Sequence, residues 1–299
     1  MRALVLVIVG CGRVGFDATA GAIDGSRESG ACAWTPFSMP AALPGPIQSA
    51  VDDWCPASTL GDTQMFFHSY RGSTLAKLWF ATRPSTSVAF DPATKLAATD
   101  NLSSQQFAPT LTDDGSLLIY ADSVGGGFSL YSTERAGGAT FGPPAILANV
   151  NAGGGVDDNY PFVSGDGLDL VFSSTRTGAT HSLWESVRPD RQSPFPTPKP
   201  IAELSPSGVE GWSPSLSADK LDIWFSSNRN AVGRLDVYTA HRAALDQPFG
   251  PAALVPELSS QGDDVGVRLT PDGATIYLNY GANTGGGNAD IDVATRSCM

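Results

Sequence analysis

The stretch YPFVSGDGLDLVFSSTR, Tyr160 to Arg176, reads as two short strands about an Asp166-Gly167 turn. Asp-Gly tolerates the positive φ of a tight hairpin, and the apolar runs on either side are too short for helices. The same pattern returns as CPASTLGDTQMFFHSYR (55 to 71), APTLTDDGSLLIYADSV (108 to 124), SPSLSADKLDIWFSSNR (213 to 229) and GVRLTPDGATIYLNYGA (266 to 282). Equivalent positions Pro56, Pro109, Pro161, Pro214 and Val267 are 53, 52, 53 and 53 residues apart. A period this regular marks a repeat architecture, in which each unit buries its apolar faces on its neighbours.

Working outward, each unit continues into a third strand that ends in arginine: KLWFATR, SLYSTER, SLWESVR, DVYTAHR and DIDVATR place Arg83, Arg135, Arg188, Arg242 and Arg296 in register. A fourth strand is expected to begin at an aromatic followed by proline, at Phe90, Phe141, Phe195 and Phe249. Proline suits an outer edge strand, where a missing N–H donor costs least. With 33 Gly and 22 Pro and no helical apolar period, little helix is expected. Five units of four antiparallel strands, arranged radially, predict an all-β chain folded as a five-bladed β-propeller.

The motif P-x-x-S-x-D-G-x-x-Ω-x-F-S-S-x-R, read from Pro161 to Arg176, resembles the WD40-like repeats called PD40, found in TolB-type periplasmic propellers and in many envelope lipoproteins. That resemblance runs from Cys32 nearly to the end of the chain. It implies the fold and leaves the function open, because unrelated roles are grafted onto such folds. TolB-type propellers usually have six blades, where this sequence supports five.

The fifth unit stops after its third strand, at Arg296. Its missing fourth strand is expected at the other end of the chain, in Phe37-Ser38-Met39-Pro40-Ala41-Ala42-Leu43, where Phe37 precedes Pro56 by 19 residues as Phe90 precedes Pro109. The N-terminal strand thus completes the last blade and removes two open edges. In this register Cys298 and Cys32 fall in the same slot of the split blade, which predicts a Cys32–Cys298 disulfide and an oxidising compartment. Cys55, at the start of an inner strand, is expected to be a buried, inert thiol.

The N-terminus, MRALVLVIVGCGRVGFD, has one arginine and an apolar stretch from Ala3 to Val9 before Gly10-Cys11. It resembles a bacterial lipoprotein signal, with Ile8 to Cys11 as the lipobox. That resemblance implies a signal peptide over 1–10, lipidation of Cys11 and anchoring in the bacterial cell envelope, on the outer membrane or cell surface. Residues 11–31 are small and polar, as expected of a lipidated flexible tether. The propeller is expected over 32–299, with repeats starting near 52, 105, 157, 210 and 263.

The formal charge is −12, from 18 Lys plus Arg against 30 Asp plus Glu. No basic patch is present to bind phosphate, so nucleic acid is not an expected partner. No apolar run is long enough to span a bilayer, and the expected contact with membrane is through the lipid anchor alone. The chain is expected to be a monomer.

The first strand of each blade lines a propeller's channel, so the residues entering it sit on one rim. They are acidic in four units, Asp52-Asp53, Asp157-Asp158, Glu210 and Asp263-Asp264, with Gln105-Gln106 in the other. These carboxylates are the candidate ligand-binding residues. A ring of them attracts cations and has the oxygen chemistry of a Ca²⁺ site, though acids in register with a repeat also serve as backbone caps. His68, His181 and His241 fall in different parts of different units, without the spacing of a transition-metal site. The repeating arginines and the third-strand aromatics Trp79, Tyr131, Trp184 and Tyr238 read as structural. No nucleophile elbow or phosphate loop occurs, so no catalytic residue and no cofactor is assigned. The leading expectation is non-catalytic binding of a protein or glycan of the envelope on the acidic face. The alternative is a carbohydrate-active enzyme, such as a glycosidase, using two rim carboxylates, for instance Asp53 with Asp158 or Glu210.

Overall fold

The computed structural model describes residues 33–99, 104–123, 126–138, 140–230, 233–282 and 289–299. Trp34–Met299 forms one compact unit. The expected signal peptide, the tether, Cys11 and Cys32 lie outside the described residues.

In chain order, β1 is Ala41–Ala42. Blade 1 holds β2 (Asp53–Thr59), β3 (Gln64–Ser69), β4 (Lys77–Thr82) and β5 (Thr94–Lys95). Blade 2 holds β6 (Gln106–Leu111), β7 (Leu117–Asp122), β8 (Ser129–Gly137) and β10 (Ala145–Ile146), with β9 (Thr140–Phe141) folded back on the end of β8. Blade 3 holds β11 (Asp158–Val163), β12 (Asp169–Ser174), β13 (Ser182–Val187) and β14 (Lys199–Pro200). Blade 4 holds β15 (Gly211–Leu216), β16 (Asp222–Ser227), β17 (Asp236–His241) and β18 (Ala253–Leu254). Blade 5 holds β19 (Asp263–Leu269), β20 (Thr275–Ala282) and β21 (Asp292–Thr295), and its outer strand is β1. The chain is therefore a five-bladed β-propeller. Helix among the described residues is confined to three single 3₁₀ turns, at Ala97–Thr99, Ala202–Leu204 and Pro256–Leu258.

Closure runs as the register predicts. Ala41 pairs with Val293 and Ala42 with Asp292. The zipper extends both ways, with Thr35 N–H on the Ser297 carbonyl at 3.0 Å and Leu43 N–H on the Ile291 carbonyl at 2.8 Å. Beyond it, Trp34 forms an antiparallel bridge with Cys298.

The repeating arginine explains why each unit ends as it does. In every blade its Nε donates to a carbonyl of the first hairpin: Arg83 to Asp62, Arg135 to Gly115, Arg188 to Gly167, Arg242 to Lys220 and Arg296 to Gly273, at 2.6–2.9 Å. Its guanidinium lies 4.2–4.7 Å over the aromatic that follows, Phe90, Phe141, Phe195, Phe249 or Phe37. That stacking corrects one expectation. The aromatic is buried before the fourth strand, and the strand begins four residues later, at Thr94, Ala145, Lys199, Ala253 and Ala41. The ring anchors the segment beneath the guanidinium, and the outer ladder forms beyond it; in blade 2 Phe141 also pairs with Arg135 through β9.

The apolar core is divided. Five clusters lie between successive blades: Phe66 with Tyr120 between blades 1 and 2, Phe172 with Ile119 between 2 and 3, Phe225 with Val171 between 3 and 4, Val237 with Val267 between 4 and 5, and Phe67 with Tyr277 between 5 and 1. Because burial is completed pairwise between blades, the axis is left for other chemistry.

Candidate functional site

Each inner strand carries a β-bulge at the same register position. Cys55, Ala108, Tyr160 and Ser213 have φ of 46–52°, and Gly266 has 70°. Four side-chain-bearing residues in the left-handed region are costly, and a bulge repeated in all five blades is a built feature. Some of the cost is offset locally: Asn279 Oδ1 accepts the Cys55 N–H at 2.9 Å, and His68 Nδ1 accepts the Ala108 N–H at 3.2 Å. Cys55 is buried as expected, and burial pushes its thiol up to about 12, which disfavours the reactive thiolate.

Just before the bulge, at the first of the two acidic positions, the carboxylates latch neighbouring blades. Asp52 accepts the Ala289 N–H, Asp157 that of Phe128, Glu210 that of His181 and Asp263 that of Leu235, at 2.7–3.0 Å. The carbonyls of those same four residues accept the N–H of Asp53, Asp158, Gly211 and Asp264, and Ala76 accepts that of Gln106. The sequence register thus predicts a rim, and the structure makes it a set of latches between blades, with two bonds at each of the four acidic junctions.

The second acidic position points into the protein. Asp53, Asp158 and Asp264 have no exposed surface. Asp53 receives Arg71 at 2.7 Å and the Ser49 N–H at 2.9 Å. Asp158 receives Arg176, Ser174 Oγ at 2.6 Å and the Ala152 N–H at 2.7 Å. Asp264 receives the N–H groups of Ser260 and Gly281. Burial pushes its carboxyl up to about 6, with Asp236 adding to the effect. Among the described residues no group of three or more His, Cys, Asp and Glu side chains is placed to hold a metal ion.

Among the described residues, two cavities open on the axis. One, of about 370 Å³, is lined by residues of all five blades on the face where the inner strands begin, among them Trp54, Tyr70, Phe107, Tyr160 and Trp212. Each of those five rings is half-buried. Of the acidic candidates, Asp52 and Asp263 reach this mouth, whereas Asp53, Asp157, Asp158, Glu210 and Asp264 do not line it. Tyr160 packs 4.9 Å from Trp212, which packs 4.6 Å from His181 and donates its indole N–H to Glu210 at 2.8 Å. Across the axis His68 lies 4.4 Å from Phe107, itself 5.0 Å from Phe128. Burial drives His68 down to about 3 and also lowers His181, so neither adds positive charge at neutral pH.

The second cavity, of about 220 Å³, lies at the opposite end, beside Ser58, Asp113, Asp166 and Arg268. The Arg268 guanidinium is buried and donates to the carbonyls of Pro161, Pro214 and Val267, joining three blades. Burial lowers it to about 10, which still leaves it charged at neutral pH.

The aromatic mouth is what the sequence reading missed. Its signal was present: Trp54, Phe107 and Trp212 all stand two residues before the repeating proline.

No protein-family model and no curated protein matches the sequence. Solved structures do. TolB from Acinetobacter baumannii matches with a TM-score of 0.52 at 14% identity, over 83% of this chain and 55% of that one, so this chain spans about half that TolB. A thermostable family-43 glycoside hydrolase gives 0.57 at 11% identity, over 85% and 91% of the two chains. The catalytic domain of the Coprinopsis cinerea GH62 α-L-arabinofuranosidase gives 0.55 at 11%, over 88% and 98%. At these identities the likeness is one of fold: the chain is a five-bladed β-propeller sharing its architecture with TolB proteins and with propeller glycosidases.

Proposed function

We propose that the chain is an exported, lipid-anchored, non-catalytic propeller that binds a protein or cell-envelope component at its channel mouth. The observation that carries this reading is the cavity itself, where Trp54, Phe107, Tyr160 and Trp212 from four blades leave ring surface uncovered at the axis beside Asp52 and Asp263. A concave, mostly apolar site with a few polar groups is the usual form of a ligand pocket. The non-catalytic reading is supported by the arginines held on Asp53 and Asp158, which leave neither buried carboxylate free to act as acid or nucleophile.

The test is tryptophan fluorescence titration with glycans, peptidoglycan fragments and purified envelope proteins, with product release assayed in parallel. Saturable binding without turnover, lost in Trp54→Ala, is the expected result. Turnover abolished by Asp263→Asn overturns it in favour of the glycosidase reading.

Anchoring and export rest on the resemblance at Cys11, and Cys11→Ser is expected to abolish incorporation of labelled palmitate. A Cys32–Cys298 disulfide belongs to the same reading. It is supported by the bridge between Trp34 and Cys298, which places residue 298 beside the chain two residues after Cys32. Non-reducing peptide mapping that finds Cys32 alkylated would sink it.

A further inference from the structure

Arg268 breaks the symmetry of the ring. The residue that follows the repeating proline, or Val267 in the fifth copy, is Ala57, Thr110, Phe162, Ser215 and Arg268 in blades 1 to 5. A charge thus stands at a register position that is neutral in the other four blades, and only 4% of the residue is exposed.

Burying a guanidinium is costly unless its charge is balanced and its five N–H donors are used. Three donors are used: Nη1 reaches the Pro214 carbonyl at 3.1 Å and the Val267 carbonyl at 2.8 Å, and Nη2 the Pro161 carbonyl at 2.7 Å. Nε has no partner. Carbonyl dipoles carry no net charge, and among the described residues no carboxylate pairs with this guanidinium. Its nearest titratable influence is the Cys55 thiol, which burial keeps protonated at neutral pH. A structural tie between blades 3, 4 and 5 accounts for the three bonds, and leaves the idle Nε and the unbalanced charge unexplained.

That charge borders open space. Arg268 lines the cavity of about 220 Å³ at the end of the axis where the first hairpins turn, and residues of all five blades enclose it. One water-sized group occupies about 30 Å³, so the volume admits a small ion with some hydration or a short organic acid. Ala57, Leu111, Val163, Leu216 and Leu269 make part of the wall apolar, which strengthens attraction between opposite charges inside it. Asp113 and Asp166 stand in the same lining, with Asp166 held by Lys220. They oppose a second negative charge, so the lining favours a monovalent ion over a dianion.

We infer that this cavity binds a small monovalent anion against Arg268, either a halide or a short carboxylate. The anion supplies the counter-charge that the chain omits and accepts from guanidinium donors that the carbonyls leave unused. The site lies at the opposite end of the channel from the aromatic mouth and stands independently of the function proposed there.

The test is NMR line broadening of chloride-35 and of acetate methyl protons by the full chain, in a sodium sulfate background at constant ionic strength. At least one probe is expected to broaden saturably, with one site per chain, and the other to displace it. The tighter of the two identifies the source as halide or carboxylate. Arg268→Met is expected to weaken the tighter probe about tenfold or more. Because that substitution also removes three bonds to carbonyls, a second measurement uses the wild type alone: crystals soaked in bromide are expected to show an anomalous peak in the cavity beside the guanidinium.

Absence of saturable broadening by both probes overturns the proposal, as does broadening that survives unchanged in a folded Arg268→Met. Bromide-soaked crystals with peaks only on the outer surface overturn it for halides, and with no acetate broadening they overturn it altogether.

Discussion

Blades 3 and 5 carry the same inner-strand carboxylate and house it differently. In blade 3, Asp158 is tied to Arg176, whose guanidinium also stacks 4.6 Å over Trp184 and reaches the Val150 carbonyl at 2.9 Å. In blade 5 the register position of Arg176 is taken by Ala282, and Asp264 is held by backbone N–H groups. The blade built from one continuous segment therefore neutralises its buried acid with a cation. The blade assembled from both chain ends holds its acid with neutral donors, and its carboxyl rises to about 6. Removal or protonation of the carboxylate therefore has different consequences at the two sites.

The largest expected effect is in blade 3. Asp158→Ala leaves the Arg176 guanidinium without its partner and is expected to cost about 3–5 kcal/mol in urea unfolding. Asp264→Ala strands only neutral donors, so an equal cost at both sites would erase the contrast.

Next comes the seam. With the proposed Cys32–Cys298 bond formed, Cys298→Ser is expected to cost about 2–4 kcal/mol, and reductant should bring the wild type to the same value. A wild-type midpoint indifferent to reductant would leave β-pairing as the whole of the closure.

The pH dependence of blade 5 is smaller. Asp264 and Asp292 both rise to about 6, chiefly through burial, and at Asp292 the charges of Asp290 and then Asp264 add to the rise. Between about pH 4 and 6 the folded state then binds more protons than the unfolded state at these groups. Their contribution is fully present at the acidic end and is lost as pH rises through about 6. Relative to Asp264→Asn, the wild type is expected to lose on the order of 2 kcal/mol between pH 4.5 and 7.5. Parallel curves for the two proteins would contradict the assignment.

The smallest effect concerns two matched caps. Glu203 accepts the Phe249 N–H at 2.8 Å in blade 4, and Glu257 accepts the Phe37 N–H at 3.2 Å at the seam. Glu203→Gln and Glu257→Gln are each expected to cost about 1 kcal/mol or less. Glu257→Gln alone is expected to accelerate amide exchange at Ser38 and Leu43, whose N–H groups bond the Thr295 and Ile291 carbonyls in the N-terminal zipper.

Much of this architecture was legible before any coordinates. The period located all five blades, and the spacing from Phe37 to Pro56 identified β1 as the missing strand. Arg296 and Phe37, at opposite chain ends, could be matched because four intact copies displayed the same pair at close spacing. The site was less legible. The acidic positions were visible, but Asp52 and Asp53 are neighbours with opposite fates, one lining the mouth and the other sealed against Arg71. Composition could not assign them, because successive strand residues face opposite sides and a bulge shifts that alternation.

The sequence by itself determined the repeat, the number of blades and the join between the ends, because each is written in local patterns that recur and can be compared. Only the tertiary structure decided which side chains share the axis. Trp54, Phe107, Tyr160 and Trp212 lie more than fifty residues apart from one to the next, and Tyr160 stands one register position away from the others. They become neighbours when the ring closes and the five bulged inner strands converge, a geometry that no single repeat contains.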